Sequence, residues 1–213
     1  MYWRTYFDKD NTIIKDRTVN LGANPVAELF YGGSYEYPKY SRYIFSFPID
    51  RLKDLYNNCQ LGDLSSVNHK LVFKTTRFLG DCRKDQELCL ATSYKLCLFR
   101  IRQDWEEGCG YDFDCVEQCD GYIAPQCNSS QGASNWFYAK SNELWETEGI
   151  FDTFSGDTIV SGDGIFPTEP LYLQCKEESC NECLYELDMT SIVNDLITGD
   201  TPDYGIGLAL NDL

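Results

Sequence analysis

An all-β fold with two sheets packed as a sandwich is what this sequence predicts, and three observations predict it. The composition is rich in aromatic residues (15%: 15 Tyr, 12 Phe and 4 Trp), which suits flat side chains laid on pleated surfaces better than helix packing. The segment Tyr43-Ile44-Phe45-Ser46-Phe47-Pro48-Ile49 has a period of two, placing Tyr43, Phe45, Phe47 and Ile49 on one face and turning Arg42 and Ser46 the other way. The run Tyr94-Lys95-Leu96-Cys97-Leu98-Phe99-Arg100-Ile101 is apolar on both faces, the pattern of a central strand and the best-buried one.

The remaining elements follow along the chain. After the first strand, Asp50 to Tyr56 carries Leu52 and Leu55 three apart, which fits a helical turn. Leu71-Val72-Phe73 reads as a short strand. Between Asp188 and Gly199 the period changes: Ile192, Val193, Leu196 and Ile197 follow helical spacing, with Thr190 or Ser191 as N-cap and Gly199 as the stop. The chain returns to strand at Tyr204 to Leu210, with Ile206, Leu208 and Leu210 on one face and small residues on the other, where a close neighbour can pack. Segments 103–134 and 154–182 are rich in Gly, Asp, Ser, Asn and Cys without sustained periodicity, and are expected to be long loops that carry interaction surfaces.

At 213 residues the chain can bury a core as one domain, so a single sandwich over 1–213 is expected. The formal net charge is −16, from 34 acidic and 18 basic residues, and such a field repels a phosphate backbone. Direct nucleic-acid binding is therefore not expected. The excess either keeps an aromatic-rich chain soluble or lines a passage through which nucleic acid slides without sticking. No stretch approaches the roughly 20 apolar residues of a membrane helix. The start, Met1-Tyr2-Trp3-Arg4-Thr5-Tyr6, lacks the charged flank and apolar run of a secretion signal, so the product is expected to stay in the cytoplasm until lysis.

Eleven cysteines cannot all pair with one another within the chain, since the count is odd. In a reducing cytosol they would act as small buried hydrophobes. Two clusters, Cys109, Cys115, Cys119 and Cys127, then Cys175, Cys180 and Cys183, leave a zinc site or local disulfides formed after lysis as alternatives. Only Cys180 and Cys183 have the two-residue spacing of a zinc pair, so no metal or cofactor is assigned.

The chemistry-bearing residues point away from catalysis. The single histidine, His69, sits before an apolar strand with no nucleophile motif near it and reads as a turn or strand-edge residue. The nucleophile elbow, the phosphate-cradling glycine loop and paired metal-binding histidines are missing from the sequence. Glu106-Glu107 and Asp112/Asp114 are the nearest candidates for a glycosidase carboxylate pair, and Asp112, Asp114 and Asp120 for a calcium site off the usual spacing. Trp136 and Trp145, if exposed, would stack on sugar rings; otherwise they fill the core, with Asn135-Trp136 and Leu144-Trp145 bracketing a hairpin.

The order of segments carries a resemblance. Val19-Asn20-Leu21-Gly22-Ala23-Asn24-Pro25 precedes Glu28-Leu29-Phe30-Tyr31-Gly32 and the strand Ser41 to Phe47. Then come Tyr94 to Arg102 with Trp105-Glu106-Glu107-Gly108, Ser134-Asn135-Trp136, Leu144-Trp145, Asp188-Met189-Thr190 and the closing Tyr204 to Leu210. Over nearly the whole chain this succession resembles the DNRLRE-type, carbohydrate-binding-module-like jelly-roll domain, most closely the version in tail and ring proteins of crAss-like phages. The resemblance implies a jelly-roll β-sandwich with Trp105 in the core, no catalytic residues, and a structural role in a tail or portal-proximal ring of the virion. The implied partners are copies of itself and adjacent portal, ring or tail proteins. Domains of this type usually carry one more strand, so Tyr204, Ile206, Leu208 and Leu210 are expected either to close the fold differently or to form an open edge that a neighbouring subunit fills. Glycan attachment is the second function that the resemblance allows.

Overall fold

The structure, a computed structural model, describes residues 4–33, 38–58, 63–75, 93–108, 110, 134–150, 154–155, 158–159, 171–174, 183–199 and 204–211. These residues are mostly strand in antiparallel sheets, with two short helices, in keeping with the all-β expectation. Beside the expected single domain over 1–213, the chain falls into two compact units: 1–49 with 98–167 and 201–210, and 50–97 with 168–200 and 211–213. Each unit is assembled from three separate stretches, so no single cut in the sequence divides them.

The first unit is built on β3 (Pro38–Ser46), which pairs antiparallel with β1 (Lys9–Ile14) on one side and β12 (Ile206–Asn211) on the other. The short β2 (Tyr31–Gly33) continues the pairing at the start of β3. Residues directly opposite one another share a face, so Asn11 and Gly207 flank Ile44, while Ile13 and Ala209 flank Arg42. On that face Ile13, Ile44 and Ala209 pack with Phe99, Ile101, Trp105, Trp136, Ala139 and Trp145 into one core. Each such large apolar side chain contributes roughly 1.5–3 kcal/mol when fully buried.

The alternation expected along 43–49 ends earlier and runs deeper than the sequence suggests. β3 stops at Ser46, because Pro48 has no N–H for the ladder, and Ile49 opens a helix instead. Both faces of β3 are buried from Ser41 to Ser46, including Arg42 and Ser46. The side turned away from Tyr43 and Phe45 is therefore core, not surface.

The open-edge reading of Tyr204, Ile206, Leu208 and Leu210 is overturned. β12 lies between β3 and the C-terminal end of β5 (Ser93–Arg100), so both its sides are occupied. Gly205 accepts a 3.0 Å hydrogen bond from Ile101 N–H, and residues 205–210 are all buried. The small-residue face does receive a close neighbour: a Cβ on Gly207 would lie 1.9 Å from the Phe99 ring. Two small hairpins complete the described part of this unit. β6 (Tyr138–Lys140) pairs with β7 (Glu143–Leu144) between the two tryptophan segments as expected, and β8 (Phe154–Ser155) pairs with β9 (Thr158–Ile159).

In the second unit β4 (Lys70–Thr75) pairs with β11 (Cys183–Asp188), burying Leu71 and Leu187 opposite each other and stacking Phe73 on Tyr185 at 5.4 Å. β10 (Leu171–Gln174) pairs with residues 93–96 of β5, so the expected loop 154–182 contains strand pieces too short to show periodicity. Two helices appear where one was expected with a helical turn: α1 (Ile49–Asn57) and α2 (Thr190–Thr198). α2 buries Ile192, Val193 and Leu196 and ends at Gly199 as expected, but its N-cap is Met189. The Asp188 carboxylate accepts the Thr190 N–H at 2.9 Å, and the Thr190 hydroxyl is taken by His69 N–H at 3.0 Å, so neither Thr190 nor Ser191 caps the helix.

Candidate functional site

A cluster of buried polar side chains in the first unit lies along β1, where three distant segments meet. Asn11 donates to the Ser134 carbonyl at 2.9 Å and to its hydroxyl at 2.8 Å, and its own oxygen accepts Leu21 N–H at 2.9 Å. Asn20 donates to the carbonyls of Glu107 at 2.6 Å and Ser134 at 2.8 Å, and accepts from Gly110 N–H at 2.9 Å. Asn11, Asn20 and Ser134 are almost fully buried, so these bonds replace water that the groups would otherwise keep. Gly22 is required here, because a Cβ would lie 2.2 Å from the Glu107 carbonyl oxygen.

The carboxylates gather at the same place. Glu107 accepts the Asp10 N–H at 2.8 Å, Tyr43 donates its hydroxyl to Asp10, and Ser46 donates to Asp8. Burial, and then the Asp10 carboxylate beside it, push the Glu107 carboxyl above its usual range. Tyr43 is pushed up for the same two reasons in the same order. Glu106 is exposed, and its carbonyl accepts Ser134 N–H at 2.8 Å. Of the sequence-predicted pair, then, Glu107 is engaged by the edge of β1 and Glu106 faces solvent. Burial raises the Asp104 carboxyl, but hydrogen bonds from Lys140 and Lys9 outweigh it and hold it low.

The tryptophans are core residues. Trp136 is 4% and Trp145 5% exposed, so neither offers a face to a sugar ring. Trp145 donates its indole N–H to the Asn135 carbonyl at 2.7 Å, and Trp105 donates to the Tyr204 carbonyl at 2.7 Å. Arg42 lies over Trp136 and Tyr40 and donates to the Gly149 carbonyl.

In the second unit His69 meets the Tyr56 hydroxyl at 2.7 Å through Nε2 and directly precedes β4, the strand-edge position expected for it. Burial lowers its pKa, with Asp188 pulling weakly the other way. Among the described residues no group of three His, Cys, Asp or Glu is placed to hold a metal. Of the proposed metal ligands and loop carboxylates, Cys109, Cys115, Cys119, Cys127, Cys175, Cys180, Asp112, Asp114 and Asp120 lie outside the described residues, as does the side chain of Cys183.

The asparagine lattice is what the sequence reading passed over. Val19-Asn20-Leu21-Gly22 shows an amide between apolar residues, but nothing in the local sequence names its partners. Chemically the arrangement binds chain to chain: donors and acceptors are matched, and the nearest carboxylates are engaged by backbone and hydroxyl donors. Comparison with protein-family models, with curated proteins and with solved structures gives no match.

Proposed function

We propose that this chain is a non-enzymatic structural subunit of a virion, a jelly-roll β-sandwich in a phage tail or portal-proximal ring that works by shape. The observation that carries the reading is how the described candidates for chemistry are used. Glu107 holds the edge of β1, His69 ties α1 to β4, and Trp136 and Trp145 fill the core. A rigid framework results, with polar groups committed to its own segments. The order of segments set out above supports the phage assignment, and the net charge of −16 suits a component past which nucleic acid moves without binding. Its partners in this reading are further copies of itself and adjacent portal, ring or tail proteins, with assembly in the host cytoplasm.

The test is the mass of the purified protein in solution under reducing conditions, alone and mixed with portal and neighbouring tail proteins. A closed oligomer or a co-assembly is expected. A monodisperse monomer that joins none of these partners overturns the reading, and binding on a glycan array would replace it with the attachment role.

A further inference from the structure

The backbone of His69 is clamped to the start of α2. Its carbonyl accepts Met189 N–H at 2.8 Å, and its N–H donates to the Thr190 hydroxyl at 3.0 Å. The half-buried imidazole meets the Tyr56 hydroxyl, in the last turn of α1, at 2.7 Å through Nε2. α1 has little else to hold it. Ile49 at its start is its buried side chain, and Leu52, Leu55 and Tyr56 are only half-buried. Among the described residues, the Tyr56–His69 bond is the one that joins an α1 side chain to another element.

That bond depends on the state of the ring. With the imidazole neutral and its proton on Nδ1, Nε2 offers a lone pair and the tyrosine donates to it. A proton on Nε2 removes the lone pair, so the Tyr56 hydroxyl loses its acceptor and a charge enters a half-buried place. The charged groups nearby are engaged elsewhere. The Asp188 carboxylate accepts Thr190 N–H at 2.9 Å, and the Lys70 ammonium is held by Glu186 at 2.6 Å. Burial therefore outweighs the pull of Asp188 and keeps the ring below the ordinary histidine value.

We propose that His69 is a proton-operated latch: the neutral ring holds the last turn of α1 against the corner between β4 and α2, and a proton taken up by the ring releases it. Release returns the imidazolium to water and bares Leu52 and Leu55. The closed form is favoured most above the ordinary histidine value of about 6.5 and is lost as pH falls below it. The latch stands or falls apart from the virion assignment.

The experiment follows hydrogen exchange of the full chain between about pH 7 and pH 5, corrected at each pH for the intrinsic exchange rate. Protection of the Lys53 to Asn57 amides is expected to fall several-fold toward acid while β3 amides keep theirs. The fall is bounded by the ratio of the His69 acid dissociation constants in the closed and open forms. His69→Gln should abolish it, and Tyr56→Phe should lower α1 protection already at neutral pH. The single histidine also gives one imidazole resonance, and Tyr56→Phe should move its titration midpoint upward, because a hydrogen bond given to the neutral ring is lost. This second readout decides the question if His69→Gln does not fold. A fall that persists in His69→Gln, equal losses in α1 and β3, unchanging α1 protection in the wild type, or a midpoint that ignores Tyr56 each overturns the latch.

Discussion

The Arg42 guanidinium lies 4.7 Å from the centre of the Trp136 ring, in a part of the core where the arginine is only 2% exposed. Tyr40 stands 5.5 Å from the same cation, and the Gly149 carbonyl accepts a hydrogen bond from it. A charge can be kept there because two π faces and a carbonyl replace its water. Arg42→Ala is expected to lower stability by about 2–4 kcal/mol, from the lost cation–π contact and a stranded buried carbonyl. Arg42→Lys should lose less, since the charge stays while the flat stacking goes. Urea unfolding followed by tryptophan fluorescence measures both.

Gly207 and Phe99 form a second tight pair, with the ring occupying the space a Cβ would need. Gly207→Ala is expected to cost about 1–3 kcal/mol through overpacking. Adding Phe99→Leu should recover part of that loss, so the two changes together cost less than their sum. Strict additivity in thermal unfolding would show that the contact is not the cause.

Asn20 holds carbonyls of two segments and the N–H of a third residue. Asn20→Ala leaves these groups buried and unpaired, and a loss of about 2–4 kcal/mol is expected at roughly 1–3 kcal/mol for each stranded group that water does not rescue. Asn20→Asp should also destabilise, because the two carbonyls would then face an acceptor. Hydrogen exchange of the Gly110 and Gly22 amides, both of which donate to the Asn20 side chain, should rise in the alanine variant before global unfolding.

Two groups set opposite pH dependences. Glu107 is held above its usual value, so its contribution to stability is full below the ordinary glutamate pKa and is lost as pH rises through the higher folded value. Glu107→Gln should therefore raise the melting temperature at neutral pH and change it little in acid. His69 is held low, so stability is lost as pH falls below the ordinary histidine value. As the chain has one histidine, His69→Gln should flatten the melting-temperature curve between about pH 5 and 7.

Much of the fold was written in local pattern. β5 and α2 were legible because a two-sided apolar run and a change of period need no knowledge of distant residues. β10 was not, since four residues show no period and its strand identity comes from pairing with β5. The alternation placed Arg42 on the face away from Tyr43 and no more; that this face is buried follows from its aromatic partners, and Trp136 is far away in sequence. The interior place of β12 also came from pairing, as Gly207 and Ala209 admit Phe99 on a face that the pattern marked only as small. Of the candidate site, the tryptophan hairpin and the strand-edge histidine were readable. The asparagine lattice was not, because its partners lie 114 and 123 residues along the chain.

The position of β12 between β3 and β5 bears on how the protein must be made. A ribosome releases β1 and β3 early, yet the strand that covers the other flank of β3 begins at Ile206. Throughout most of translation the flank of β3 that β12 will take lacks its native partner, a template for pairing with another nascent chain. Its Asn11 clamp must also wait for Ser134. Completion is thus late and non-local, a topology that folds slowly. Yield of intact protein should therefore depend more on synthesis rate and chaperone supply than on the stability of the finished fold.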